Sequence, residues 1–309
     1  MSIFKTTVPE GLDGVTLCLT GASGYVGQHL VQSLTALGIR PLLIGRPRAQ
    51  APDIVGADTV GTWNNPTELA AALDRYTRLA VLNIAGHFVS HHSPSDIAPL
   101  VSGNLEFPLN IFEALALSRH DRIVNVGTSW EFSDTGAPTP ANLYASLKAS
   151  NVAALVWYAN AFGLRAVNLK LNDTFGGADG RAKLMPLLKK SAETGAKTAL
   201  RYSDQEINLL HITDVKEGLL AAAELTGELT PGTVPTAFLL GPETLTLGAL
   251  IDRLRKGAAP GLDITFEQAN PVGGTLRSVW EAAPRLANWC PRISLDDGLS
   301  EYFGKINET

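Results

Sequence analysis

The stretch Thr20-Gly21-Ala22-Ser23-Gly24-Tyr25-Val26-Gly27 places glycines at every third position between two runs of opposite periodicity. Upstream, Val15-Thr16-Leu17-Cys18-Leu19 reads as a buried parallel strand, and downstream Tyr25 to Leu37 carries apolar residues at helical spacing. A strand, a tight turn and a helix follow in that order. Gly21 can take a backbone angle closed to other residues, and Gly24 lets the chain approach a pyrophosphate lying over the helix N-terminus. Unpaired N–H groups there favour anions, while Gly27 lets helix and sheet come close. The stretch predicts a dinucleotide site, with Ser23, Tyr25 and Val26 beside the glycines as contacts.

Composition agrees with an ordinary soluble globular protein. The 309 residues are 45% hydrophobic and 18% charged, enough for a large core in one big domain or in two sharing a sheet. A formal net charge of −5 with only short Lys/Arg groupings makes nucleic acid an unexpected partner. Cys18 and Cys290 cannot make a disulfide framework or a zinc site, so a reducing cytoplasm is expected. No apolar run spans a bilayer and no secretory leader is visible, so no membrane partner is expected.

After the first helix, Gly38 reads as a C-cap and Pro41-Leu42-Leu43-Ile44 as a second strand ending at Gly45-Arg46. In dinucleotide folds a carboxylate at this point holds the ribose 2′-hydroxyl, whereas an arginine suits a 2′-phosphate. Arg46, followed by Arg48, therefore favours NADP(H) over NAD(H). Thr59 to Trp63 reads as a weak third strand with Trp63 available to the adenine, and Asn65-Pro66-Thr67-Glu68 opens a helix to about Tyr76. Leu79 to Ile84 is the fourth strand. It leaves through Ala85-Gly86-His87 at the carboxyl edge of the sheet, where a ligand should lie. His87, His91 and His92 lie in a loop without a ligand partner at metal spacing, so no metal site is expected and the loop reads as lining a polar pocket. The next helix, about Gly103 to Ser118, has Asn104 at its start, either as a simple cap or, as a resemblance to the short-chain dehydrogenase/reductase superfamily implies, as a support beneath the cofactor.

Arg122 to Gly127 is a fifth buried strand, with Thr128-Ser129-Trp130-Glu131 leaving its end. Further on, Tyr144-Ala145-Ser146-Leu147-Lys148 lies on an apolar helix continuing to about Ala161. Tyr144 and Lys148 stand at i and i+4 on one face, so the ammonium can sit by the phenol and favour the phenolate. A free tyrosine with a pKa of about 10 needs such help to exchange protons at neutral pH.

The glycine turn, the serine after the fifth strand and the Tyr-x-x-x-Lys pair, in this order, resemble the extended branch of the short-chain dehydrogenase/reductase superfamily. The resemblance implies an NAD(P)-dependent oxidoreductase in which Ser129 donates a hydrogen bond to a substrate carbonyl and Tyr144 moves the proton. Lys148 would tune Tyr144 and bind the nicotinamide ribose. It further implies an α/β fold with a doubly wound Rossmann-type parallel sheet and a smaller C-terminal α/β substrate-binding domain. The expected division is 1–175 with a returning segment at about 205–240, against 176–204 and 241–309.

Leu164 to Leu171 gives the sixth strand, and Asn172-Asp173-Thr174-Phe175-Gly176-Gly177 resembles a signature ending in Asn-x-Tyr-Gly-Pro. Asp173 stands in place of the amide and Gly177 in place of the proline. Arg181, Lys183 and Leu184 open the following helix, whose basic first turn calls for a counter-anion. His211-Ile212-Thr213-Asp214-Val215 resembles the family's returning segment. Arg277 resembles a diphosphate ligand. The candidate sites are thus catalytic Ser129, Tyr144 and Lys148, cofactor-binding Gly21, Ser23, Gly24, Tyr25, Val26, Arg46, Ala85, Gly86, His87, Asn104, Lys148 and Leu171, and substrate-binding Ser129, Trp130, Glu131, Asp173, Arg181, Lys183, Leu184 and Arg277.

Trp130 occupies a position where dehydratases of this branch carry an acid, which disfavours dehydration. Arg46 favours an exchanging NADP(H) and so a reductase. Asp173 to Gly176 with Arg181, Lys183 and Leu184 also resembles reductases of nucleotide-linked 4-keto-6-deoxyhexoses, of the CDP-abequose and CDP-paratose synthase kind. An epimerase with retained cofactor and a non-catalytic NADP-binding regulator are the alternatives. Helices Gly103–Ser118 and Asn142–Ala161 are apolar over more than one face, which predicts a homodimer.

Overall fold

The computed structural model describes residues 5–267 and 278–304. In chain order the first half runs β1 (Thr16–Thr20), α1 (Tyr25–Ala36), β2 (Leu42–Ile44), β3 (Asp58–Thr59), α2 (Pro66–Leu73) and β4 (Leu79–Asn83). There follow α3 (Ile97–Val101), a π-helical turn (Ser102–Glu106), α4 (Phe107–Leu117), β5 (Arg122–Thr128) and α5 (Leu143–Phe162). The second half comprises β6 (Arg165–Leu171), β7 (Asp173–Phe175), α6 (Leu184–Thr194), β8 (Thr198–Arg201), β9 (Glu206–His211) and α7 (Ile212–Leu225). It closes with β10 (Thr236–Leu239), β11 (Thr244–Thr246), α8 (Leu247–Lys256), β12 (Ile264–Glu267) and α9 (Leu295–Phe303).

Seven parallel strands form one sheet in the order β10-β6-β5-β4-β1-β2-β3. Strand order reverses between β1 and β4, and there an open α/β sheet leaves a crevice for a ligand. β1, β4 and β5 are buried nearly end to end, as expected where helices cover both faces. One apolar layer joins α1 and α7 to the sheet through Leu30, Leu34, Leu219 and Leu220. The opposite layer packs Leu69, Phe107, Ile111, Phe112 and Leu155. The expected Rossmann-type sheet is present.

A three-stranded sheet β11-β9-β7 and a two-stranded sheet β12-β8 stand beyond the carboxyl edge. They share a separate core of Phe175, Met185, Leu250, Leu254, Tyr302 and Phe303 with α6, α8 and α9.

Three local expectations change. The third strand is only Asp58–Thr59, and Trp63 is buried, stacked on Phe107 with its indole N–H on the Gly45 carbonyl. It is core and cannot serve as an adenine platform. The helix expected from Gly103 begins at Ile97, so Asn104 lies inside it and caps nothing. Among the described residues no helix is long and apolar enough to cross a membrane.

Candidate active site

α1 starts at Tyr25 behind Gly24, with no side-chain cap and no acidic residue in its first turn, so its leading N–H groups and positive end remain available to an anion. Gly21 sits at φ +73°. A Cβ on Gly27 would fall 2.1 Å from the Gly21 carbonyl oxygen, so the turn admits only glycine there. These residues fit a dinucleotide pyrophosphate.

The turn forms one end of a cavity of about 880 Å³ at the carboxyl edge of the sheet. Gly21, Ser23, Gly24, Tyr25, Val26, Arg46, Ala85, Gly86 and Leu171 line it. Arg46 is exposed at its rim, and among the described residues it makes no ion pair. His87 and Asn104 lie behind the lining. The Asn104 side chain accepts the His87 N–H at 3.1 Å and donates to the His87 carbonyl at 2.7 Å, so it supports the loop from beneath.

Tyr144 and Lys148 line the far wall, one turn apart on α5, whose start is fixed by Asn142 accepting the Ala145 N–H. The Lys148 ammonium donates to the carbonyls of Ala85 and Val126, each at 3.0 Å. An ammonium has three N–H donors, so one remains for a ligand hydroxyl. Burial pulls the Lys148 pKa down to about 8, with the Glu131 carboxylate opposing and the Lys170 ammonium reinforcing. Burial and the Glu131 charge push the Tyr144 phenol well above its ordinary range. This direction is opposite to the shift toward phenolate expected from a lysine one turn away, because desolvation disfavours the charged phenolate.

Ser129 does not share this wall. It lines an adjoining cavity of about 450 Å³, whereas Thr128 faces the larger cavity with Tyr144 and Lys148. Thr128 ends β5 and Ser129 opens a 3-10 turn, Ser129–Glu131, so one step in sequence changes the cavity that a hydroxyl meets. Thr128 Oγ1 accepts the Trp130 N–H at 3.3 Å, which leaves its own hydrogen to donate. The reading from sequence missed Thr128, because β5 is buried along nearly its whole length and no alternation marks which of the two hydroxyls faces the larger cavity. Glu131 lines neither cavity. It is buried in an ion pair with Lys170 and accepts the Thr128 N–H at 2.8 Å, so burial removes it from the substrate contacts.

Trp130 and Asp173 stand at the seam between the two cavities. The Asp173 carboxylate has no hydrogen bond or ion pair among the described residues, and burial raises its pKa against the pull of Lys183 and Arg181. Lys183 Nζ lies 3.3 Å from the Phe88 ring centroid, and Phe88 meets Tyr144 edge-on at 5.1 Å. Burial lowers the Lys183 pKa while Asp173 raises it. Lys183 precedes Leu184 at the uncapped start of α6, which also opens on the larger cavity.

Arg181 borders that cavity but is already engaged. Its guanidinium holds Asp179 at 2.8 and 2.7 Å and the Thr174 carbonyl at 2.8 Å, and it stacks 3.6 Å above the Tyr25 ring. It clamps the loop after β7 onto α1. That loop turns at Gly177 with φ +59°, an angle closed to proline, which accounts for glycine there. Arg277 lies outside the described residues. His91 and His92 line the smaller cavity, whose floor includes Phe132, Phe238 and Trp280. No group of metal-ligating side chains occurs among the described residues.

The model of the NAD-dependent epimerase/dehydratase family matches residues 17–234. A CDP-abequose synthase of Yersinia pseudotuberculosis is 27% identical over 205 residues, which is 66% of this chain and 71% of that protein. Another from Salmonella typhimurium is 24% identical over 55% of this chain and 56% of its own length. Among solved structures, the UDP-glucuronic acid 4-epimerase of Bacillus cereus in complex with UDP-glucuronic acid and NAD superposes with a TM-score of 0.77. It is 20% identical, covering 94% of this chain and 99% of that one. The UDP-glucose 4-epimerase of Thermus thermophilus in complex with NAD gives 0.75 at 18% identity, over 96% and 100%.

Proposed function

This chain belongs to the NAD-dependent epimerase/dehydratase family, and from that premise we propose that it is an NADP(H)-dependent reductase of a nucleotide-linked keto sugar, a 4-keto-6-deoxyhexose. The observation that carries the reading is one cavity wall holding Thr128, Tyr144 and Lys148 opposite a glycine turn shaped for a dinucleotide. A nicotinamide bound along that cavity supplies the hydride. Tyr144, kept protonated by burial, gives its proton to the carbonyl oxygen as the carbonyl carbon is reduced, and the Thr128 hydroxyl donates a hydrogen bond to the same oxygen. The remaining N–H of Lys148 meets a ribose hydroxyl. A phenol that holds its proton suits reduction better than oxidation, which would need it as a base.

Arg46 at the rim offers a planar guanidinium to a 2′-phosphate and supports NADP(H). Lys183 and the N-terminus of α6 are the partners for the substrate diphosphate, and the unpartnered Asp173 carboxylate meets a sugar hydroxyl. The likeness to CDP-abequose synthases supports a nucleotide sugar as substrate. The fold neighbours favour a second reading, because those solved structures are UDP-sugar 4-epimerases in complex with NAD. A homodimer through α4 and α5 is part of the proposal.

Purified protein mixed with NADPH or NADH and a panel of nucleotide-linked keto sugars separates the readings through nicotinamide absorbance. The reductase consumes NADPH stoichiometrically with the keto sugar. An epimerase interconverts sugars with no added cofactor, and absence of both activities refutes the enzymatic proposal.

A further inference from the structure

An amide taken out of water is costly unless both its oxygen and its nitrogen find partners. This chain buries four on one line across its sheet: Asn83 on β4, Asn125 on β5, Asn151 on α5 and Asn104 in the π-helical turn, all fully shielded. The line starts at the Ala85 N–H, which donates to Thr20 Oγ1 at 3.1 Å, and the Thr20 hydroxyl donates to Asn83 Oδ1 at 2.9 Å. Asn83 Nδ2 donates to Asn125 Oδ1, Asn125 Nδ2 to Asn151 Oδ1, and Asn151 Nδ2 to the Asn104 main-chain carbonyl, each at 2.9 Å. The Asn104 side chain then grips both the N–H and the carbonyl of His87. The hydrogen bonds thus close a ring that leaves the loop Ala85–His87 at one end and returns to it at the other.

The ring can run in only one direction. A main-chain N–H can only donate, so Thr20 must pass its own hydrogen onward and Asn83 must present its oxygen. At the far end a main-chain carbonyl can only accept, so Asn151 must present its nitrogen. The held loop has no slack on either side. A Cβ on Gly21 would lie 2.8 Å from the Ala85 backbone, one on Gly103 would lie 2.9 Å from His87 Cβ, and one on Gly86 would lie 3.2 Å from Lys148 Nζ. Between these fixed points the Ala85 carbonyl is left to accept from Lys148, and its second acceptor, Val126, adjoins Asn125 on β5.

We propose that Asn125 and Asn151, which touch neither cavity, are positioning residues that carry the ring across the sheet and so fix the Ala85 carbonyl under the Lys148 ammonium. The inference rests on the reading of Lys148 as the cation that serves the cofactor ribose and Tyr144. Replacing both facing amides, Asn125→Leu with Asn151→Leu, removes the central link while keeping the pair mutually apolar and of similar size.

The test is the NADPH dissociation constant of the whole protein, followed by nucleotide fluorescence from pH 6 to 10, with circular dichroism recording the fold. The folded double variant is expected to bind NADPH about tenfold more weakly at neutral pH. The alkaline limb of its binding curve is expected to move by about half a pH unit or more, which a remote packing defect would not produce. A folded variant with affinity within about twofold of wild type and an unmoved limb overturns the inference while leaving the parent reading intact. If the wild type binds no dinucleotide, both fall. If the double variant does not fold, Asn151→Ala, a residue favourable in a helix, is read in the same assay with the same two outcomes.

Discussion

Thr128 and Ser129 differ by one step in the chain and by one cavity in space, so they separate two accounts of the chemistry. Thr128→Val is expected to lower turnover by about a hundredfold, because a donor aimed at the developing oxyanion is lost. Ser129→Ala should leave turnover within about threefold and act, if at all, on KM. Steady-state kinetics of the two variants on one substrate checks the assignment, and the reverse order restores Ser129. Lys148 offers a second test through pH. Its charge is lost in the folded protein as pH rises through about 8. Activity that needs the ammonium therefore falls above that pH. Stability moves the other way. Between about 8 and the ordinary lysine range the unfolded chain binds a proton that the folded chain does not, so unfolding free energy from this group rises with pH. Below pH 8 both states are charged and the burial cost is fully present. Thermal melts of wild type and Lys148→Met from pH 6.5 to 10 isolate this contribution. The gap between the two proteins should narrow as pH rises, while wild-type turnover declines over the same window.

The turn after β5 is held by charges that only the folded structure brings together. Glu131 and Lys170 are 2% and 0% exposed, and the carboxylate also accepts the Thr128 N–H. Glu131→Gln leaves Lys170 charged and unpaired in the interior, which should cost roughly 3–5 kcal/mol. It should also lower turnover by loosening Thr128. Glu131→Met with Lys170→Met should recover most of the stability, as denaturant unfolding would record, but little of the turnover. In sequence Glu131 looked like a substrate ligand, because nothing near it announces a lysine thirty-nine residues later on the neighbouring strand. The helix before β5 was misjudged for a different reason. Its sequence places the start at about Gly103 with Asn104 as a candidate cap, yet the helix begins at Ile97; Pro99 falls in the first turn of α3 and Pro108 enters α4 just after the widened π turn. A proline there meets no i−4 clash of the usual kind, so the helix passes through. By contrast, the glycine turn, the Tyr144–Lys148 pair and β1, β4 and β5 were legible, because each is set by contiguous residues at a fixed period.

At the scale of the whole molecule, the second core was expected only through the family resemblance, and nothing in its own residues announced it. β7, β9 and β11 pair across long separations, and their short strands carry no alternation strong enough to announce them. The two cavities lie where that second group of sheets closes over the carboxyl edge of the first, so their seam at Trp130 and Asp173 emerges only from tertiary assembly. The apolar excess of the long helices, however, was visible in sequence, and it persists on the surface. Val156, Trp157 and Phe162 of α5 and Leu117 at the end of α4 remain 40%, 57%, 50% and 52% exposed. Trp157 lies edge-on against Tyr158 and Phe162, and Tyr158 donates to Glu113 of α4 at 2.6 Å, so the two helices present one braced surface. Large apolar side chains grouped in this way mark an interaction face. We propose that a second copy of the chain, adding its own α4 and α5, covers this face with a matching one across a two-fold axis. Light scattering is therefore expected to give twice the chain mass of 32.8 kDa. Trp157→Glu should shift the protein toward the monomer while the larger cavity, which Trp157 does not touch, keeps its dinucleotide affinity. A wild-type protein that scatters as a monomer at micromolar concentration would remove the dimer and leave those side chains as a surface without a partner.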